Sequence, residues 1–390
     1  MRAFPILAAI LLAACAQAPS PSEPAIATPP PLASLEDGVW LKGDLHIHSR
    51  HSKDSSNNPV STIIGFGESV GMDFLAITDH DNHVGGDVAY HTWVDPEFTS
   101  SKLLLLYGAE WTTHRGHGTP LSATPYDHQK LYDARDQRDV KIGALKEALG
   151  IHLSANHPGG TGDGFGLSYD LVDSLEVWNS AVWSRNANSM TIWDDMLKSG
   201  RKLTGRGGSD SHHGFPPTPE QKTDLSWQAP ANNVGTPTTW VFATARSSDA
   251  VIAALTNGRV SVSANPYAPR IAFYADHNSD GAMDMMMGDN ALSTGQPVAF
   301  RVQLSGATPP GAVYTVSVIK DGAPFGTFET KGDKPVAEFT DTPARDGRTF
   351  YRVTVEGTPT AYPQVPDSQT RSGNMIGLSN PIYFNFDPAF

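Results

Sequence analysis

Short apolar runs that end in imidazole and carboxylate side chains constrain this chain more than any other feature. Gly38-Val-Trp-Leu-Lys-Gly-Asp-Leu-His46 reads as a strand closing on His46 and His48. Phe74-Leu-Ala-Ile-Thr78 reads as a buried strand followed by Asp79 and His80. Leu103–Tyr107 leads to Glu110, Ile151–Ala155 to His157, and Lys202–Gly205 to Asp210 and His212, while Ser174–Trp178 carries Glu176. Helical stretches are predicted at residues 60–71 and Asp139–Leu149. Strands alternating with helices predict βαβ units and a parallel sheet or barrel. Chemistry gathered at the C-terminal ends of such strands is the pattern of an α/β barrel's functional face.

Two residues apart on a strand end, His46 and His48 project to the same side and can reach one metal ion. A lone His-x-His is a weak signal, but further elements follow in order. Thr78-Asp79-His80-Asp81 comes directly after an apolar strand. Asp54 follows His48, Tyr107-Gly-Ala-Glu110 supplies a carboxylate, Ala155-Asn-His157-Pro supplies a mid-chain imidazole, and Asp210-Ser-His212 closes the series. Together these runs, from about Asp44 to His213, resemble the PHP family, named for polymerase and histidinol phosphatase domains.

That resemblance implies a distorted PHP-type (β/α)7 barrel. It also implies a metal set of His46, His48, Asp54, His80, Glu110, His117, His157, Asp210 and His212, with His114 as the alternative to His117. By the family pattern His46, His48, Glu110 and Asp210 hold one ion. Glu110, as a bridge, holds a second with His117 and His157, and Asp54, His80 and His212 hold a third. Six imidazoles and three carboxylates without a thiol suit zinc, manganese or iron, and nine donors fit two or three divalent ions. A water shared between such ions has its pKa lowered toward neutrality and becomes a nucleophile. Asp79, Glu110 and His212 are the expected participants in the chemistry, Asp79 by orienting an imidazole or moving a proton. Asp44, Glu176 and Asn179 are expected beside the ligands. His51, His83, His91, His128 and His152 read as ordinary surface or core residues.

Glu110-Trp-Thr-Thr-His-Arg-Gly-His117, Glu176-Val-Trp-Asn179 and Gly235-Thr-Pro-Thr-Thr-Trp240 further resemble the carbaryl-hydrolase-like branch of that family, whose members are described as ester or carbamate hydrolases. The chain departs from that branch in Gly-Thr-Pro-Leu after His117 and in an insertion at Pro216–Asn232. The expected reaction is metal-dependent hydrolysis of a small phosphoester or of a carboxyl or carbamate ester, with the phosphoester favoured. The alternative is a non-catalytic envelope-binding lipoprotein with a relict barrel.

The first residues set an expected location. Arg2 precedes an apolar stretch, Phe4–Ala14, too short to span a bilayer, and it ends in Leu-Ala-Ala-Cys15. This run resembles a bacterial lipobox, in which the Cys is acylated and becomes the N-terminus. Cys15 is the only cysteine, so no disulfide forms within the chain. Residues 1–14 are expected as a signal peptide and 15–37 as a lipidated Pro-rich tether. Residues 38–267 are expected as the barrel and 268–390 as a β-rich, sandwich-like domain. The expected site is the outer membrane, facing the periplasm or cell surface. A net charge of −13 argues against nucleic acid as a partner and leaves the lipid as the membrane contact. Asp276-His-Asn278-Ser-Asp280 begins like a calcium loop, but Met287 stands where that loop needs Glu, so an Asx-type turn competes with a structural calcium site.

Overall fold

Alternation along the first strand already points the site. In β1 (Val39–Asp44) and its extension, Leu45 and Ile47 are fully buried in apolar clusters, so His46 and His48 turn to the opposite side. The computed structural model describes residues 29, 32–33, 35–55, 58–212, 233–306, 310–331, 334–365 and 372–387. Cys15 with the signal-like run, His213 and the insertion at 216–232 lie outside the described residues.

After β1 come β2 (Phe74–Ala76), β3 (Leu104–Gly108), the hairpin of β4 (Trp111–Thr113) and β5 (Gly116–Ser122), β6 (His152–Ala155), β7 (Ser174–Asn179), β8 (Thr204–Gly208), β9 (Thr238–Ala243) and β10 (Val260–Ser263). Helices α1 (Val60–Ser69), α2 (His128–Ala134), α3 (Asp139–Leu149), α4 (Ala187–Ser199) and α5 (Ser248–Thr256) lie between them. Both α3 and α4 stop where sequence chemistry stops them, at Gly150 and Gly200 in the left-handed conformation. The β-rich remainder comprises β11 (Arg270–Asp276), β12 (Met285–Met286), β13 (Asn290–Ala291), β14 (Val298–Ser305), β15 (Val313–Lys320), β16 (Ala323–Lys331), β17 (Val336–Asp341), β18 (Thr349–Gly357), β19 (Met375–Ser379) and β20 (Ile382–Phe384).

The expected parallel barrel is corrected in two ways. The sheet is mixed: β5 runs antiparallel to both β3 and β6, and β9 antiparallel to β1. Among the described residues the sheet is also open, running from β13 at one edge to β8 at the other. Strand order supplies the reason. Each edge of β9 is taken, by β1 and β10, and each edge of β10 is taken, by β9 and β19, so β8 finds no free strand to join. Side chains close the seam instead. The Thr239 hydroxyl accepts from the Gly207 N–H and donates to its carbonyl, both at 3.0 Å. The Asn380 amide, from the β19–β20 turn, accepts from Gly205 N–H and donates to the Gly205 and Val260 carbonyls at 2.7–2.8 Å. Asn380→Ala takes these partners from the Gly205 N–H and carbonyl, while the Val260 carbonyl keeps the backbone N–H of position 380 at 3.1 Å, and is expected to cost about 2 kcal/mol, at 1–3 kcal/mol per unsatisfied buried polar group with partial relaxation. An unchanged urea midpoint would show that the seam is held by other contacts.

The C-terminal strands extend the same sheet through β19 and β18, while β12, β11, β14 and β17 form a second sheet. Phe273, Phe300 and Phe339 of the second sheet meet Tyr314, Val316, Tyr351 and Val353 of the first in one apolar core. Among the described residues, no helix is long and apolar enough to cross a membrane.

Candidate metal centre

The C-terminal ends of β1, β2, β3, β6, β7 and β8, with the start of β5, deliver the histidines and carboxylates to one place. Glu110, just beyond β3 and almost fully buried, lies at its middle. Its Oε2 is 3.3 Å from His46 Nε2, 3.3 Å from His48 Nε2 and 3.0 Å from His80 Nδ1. Its Oε1 is 3.1 Å from His117 Nδ1, 3.1 Å from His157 Nε2, and accepts from Asn156 Nδ2 at 3.0 Å. Asp210 Oδ1 faces the same imidazoles, 3.4 Å from His46 Nε2 and 3.3 Å from His48 Nε2. Burial alone would raise the carboxyl pKa of Glu110; the charge of His46 and the hydrogen bonds of His117 and His157 outweigh it and hold the group well below the usual range.

Hydrogen bonds from Nδ1 orient the rings of His46, His48 and His80. His46 Nδ1 lies 2.8 Å from Glu176 Oε1, an acceptor only, so Nδ1 carries a proton and Nε2 is the nitrogen that would hold an ion. Ser52 donates its hydroxyl to Asp79 Oδ1 at 2.9 Å, so its oxygen accepts from His48 Nδ1–H at 3.2 Å and His48 Nε2 is the nitrogen that faces the carboxylates. Thr112 Oγ1 donates to the Glu110 carbonyl and accepts from His80 Nδ1 at 2.8 Å, which turns His80 Nε2 outward to Asp54 Oδ2 at 3.4 Å. His212 Nε2 is 3.5 Å from the same Asp54 oxygen.

These facts test whether the donors fit divalent ions. His46 Nε2 and His48 Nε2 are buried and have no hydrogen-bond partner, although each points at two carboxylate oxygens. Buried imidazole nitrogens facing carboxylates need positive charge between them, either the rings' own protons or a bound divalent ion that takes their place. Donor atoms converge in four groups: His46, His48 and Asp210; His48, His80 and His212; His80, Glu110 and His117; and His117, His157 and Asp163. The set suits divalent ions; it does not fix which ions or how many.

The nine residues expected from the sequence therefore come together around Glu110, and His117 rather than His114 is among them. His114 is 68% exposed on its side chain and pairs with Asp136. Asp54 stands at the open rim with its side chain 46% exposed. Asp79 does not open into the cluster: its oxygens accept from Ser49 N–H, Ser49 Oγ, Ser52 Oγ and Thr92 Oγ1, so it acts on His48 through Ser52. Asp44 likewise ties His46 N–H, Ser209 N–H and Gly235 N–H together from below. Two of the expected ligands sit on left-handed backbone, His157 at φ 27° and Asp210 at φ 53°, and such strain gathers at functional sites. The Asp276 loop is different. Its carboxylate accepts from the Asp280 and Gly281 N–H groups, and Asn278 Oδ1 accepts from Asp280, so these residues close an Asx-type turn.

Four participants escaped the sequence reading. Asp163 joins the His117–His157 group through the loop after His157, His83 lies 3.8 Å from Asp54, and Asn156 and Arg206 lie beneath Glu110 and Glu176. Only Asp163, an acidic residue six positions after a ligand in a glycine-rich loop, left any signal.

A scan of family models found no match, and neither did a search of curated proteins. Among solved structures the chain is similar to a two-domain protein from Bacteroides vulgatus described as containing a predicted PHP-like metal-dependent phosphoesterase. The identity is 17% and the TM-score 0.42, over 93% of this chain and 99% of that one. It also overlaps an engineered protein at 11% identity and a TM-score of 0.19, over 84% of this chain and 82% of that one. Neither backbone superposes closely enough to transfer function.

Proposed function

We propose that this chain is a divalent-metal-dependent hydrolase with a PHP-type site, acting on small phosphoesters at the cell envelope. The observation that carries this reading is the pair of buried imidazole nitrogens, His46 Nε2 and His48 Nε2, that lack a hydrogen-bond partner and both face Glu110 and Asp210. The ordered motifs from His46 to His212 support it. Bound ions would supply Lewis-acid polarisation of the scissile bond and activation of water. The chain's own residues do the rest. Glu110 and Asp210 furnish fixed negative charge between imidazoles, and Glu176, Ser52 and Thr112 lock the rings of His46, His48 and His80. A phosphoryl group offers several non-bridging oxygens to a multi-ion centre, whereas a carboxyl ester offers one, which favours the phosphoester.

Manganese- or zinc-loaded protein is expected to turn over p-nitrophenyl phosphate faster than 1-naphthyl acetate. Turnover of the acetate alone would move the reading to carboxyl esters, and turnover of neither, with metal bound, would end it. Fewer than one metal per chain after careful purification would favour the non-catalytic binding role. For the envelope, Cys15→Ser is expected to move the protein from the detergent phase to the aqueous phase. Retention of the variant with the membrane would refute acylation at Cys15.

A further inference from the structure

Arg206, on β8, is fully buried directly beneath the candidate metal centre. Its guanidinium spends its donors in two directions. Nη1 donates to Glu176 Oε1 at 2.9 Å and to the Gly207 carbonyl, Nη2 donates to Asn156 Oδ1 at 2.8 Å, and Nε donates to Ser154 Oγ at 2.6 Å. Each of the first and third acceptors touches candidate ligands. Glu176 Oε1 also receives His46 Nδ1–H at 2.8 Å, and Glu176 Oε2 receives the His157 backbone N–H at 2.7 Å. Asn156 Nδ2 donates to Glu110 Oε1 at 3.0 Å.

We propose that Arg206 is the positioning residue of this centre, one guanidinium that sets the Glu176–His46 arm and the Asn156–Glu110 arm together. The inference rests on the metal-site reading above. Donors from Arg206 and from Thr119 Oγ1, at 2.9 Å, both end on Asn156 Oδ1, so the amide must present its N–H, not its oxygen, to Glu110. Without Arg206 the amide oxygen keeps only the Thr119 donor, and the Asn156–Glu110 contact is held less firmly. On the other arm, Arg206 and His46 share one oxygen of Glu176, so the guanidinium fixes where the acceptor of the His46 N–H lies. The space for this pairing is kept by Gly208: a Cβ there would lie 2.1 Å from Glu176 Oε1 and 2.7 Å from His46 Cβ. Lysine would keep the charge but present it as a single point, and could not reach both arms with the planar fork of arginine.

Cobalt(II) is the probe, read both by titration and by its visible ligand-field absorption. Arg206→Lys is expected to weaken cobalt binding by about 10–100-fold, the range for loss of an outer-sphere partner, and to change the ligand-field spectrum. Asn156→Ala, which removes only the Glu110 arm, is expected to weaken binding less, and it carries the test if Arg206→Lys fails to fold. Phe300→Leu, in the C-terminal core, lowers stability without touching the network and is expected to keep wild-type affinity and spectrum. Folded Arg206→Lys and Asn156→Ala proteins with wild-type affinity and spectrum would overturn the proposal. So would a Phe300→Leu protein that weakens binding as much as they do. A wild-type chain that binds no cobalt would instead end the metal reading on which the proposal stands.

Discussion

Glu110→Gln is expected to release at least one metal ion per chain and to lower hydrolysis by about two to four orders of magnitude, the scale seen when electrostatic stabilisation of a transition state is removed. Two cations a few ångströms apart repel strongly in a site shielded from water, and a carboxylate between them offsets that repulsion. Glu110 lies within 3.0–3.3 Å of nitrogens from five histidines, so every converging group is adjacent to it. Glutamine keeps the shape, removes the charge, and presents an N–H₂ where one lone pair was needed. His51→Ala is the matched control: its Nε2 pairs with Asp95 at 2.7 Å beside Arg50, away from Glu110, and little change is expected. Metal content by plasma mass spectrometry and hydrolysis rates decide the matter. Full metal occupancy with a near wild-type rate in Glu110→Gln would remove the central residue of the proposed site.

The second large effect is on stability in mild acid. His152, at the start of β6, is buried between Thr256 Oγ1 and Ser174 Oγ, and burial pushes its pKa down from 6.5 to about 4. The unfolded chain therefore takes up a proton near pH 6.5 while the folded chain refuses it until about pH 4. Stability is unaffected by this group above pH 6.5, falls as pH drops below it, and levels off below pH 4. At 1.36 kcal/mol per pKa unit the loss is about 2 kcal/mol by pH 5 and about 3 kcal/mol at the plateau. His152→Gln is expected to remove that slope. Urea titrations of wild type and variant at pH 7 and pH 5, both in chelator so that metal release does not contribute, measure the difference. Identical pH dependence in the two proteins would show that the imidazole is not held neutral.

Much of the site was legible because its signals are local. The alternation Leu45–His46–Ile47–His48 sends apolar side chains one way and imidazoles the other, and that is a property of four consecutive residues. Likewise Phe74–Thr78 and Ile151–Ala155 read as buried strands from their composition, and His80 and His157 follow them directly. The hairpin of β4 and β5 was not read, because Trp111–Ser122 is broken by His, Arg and Gly residues that suggest a loop; its pairing is fixed by β6 and β3 on either side. The openness of the sheet was also hidden, since it depends on β19, more than a hundred residues away in the chain, occupying the outer edge of β10.

The sequence by itself determined which donor types the chain carries, their order, and their placement at strand ends, because periodicity and strand length act over a few residues. Only the tertiary structure decided which donors face one another. Arg206 meets Ser154, Glu176 and Asn156 across separations of 52, 30 and 50 residues. No local pattern encodes a hydrogen bond at such range: it exists because the registers of β6, β7 and β8 bring the three partners under one guanidinium. The same long-range packing set Asp79 behind Ser52, turned His80 Nε2 outward, and left Nε2 of His46 and of His48 facing Glu110 and Asp210.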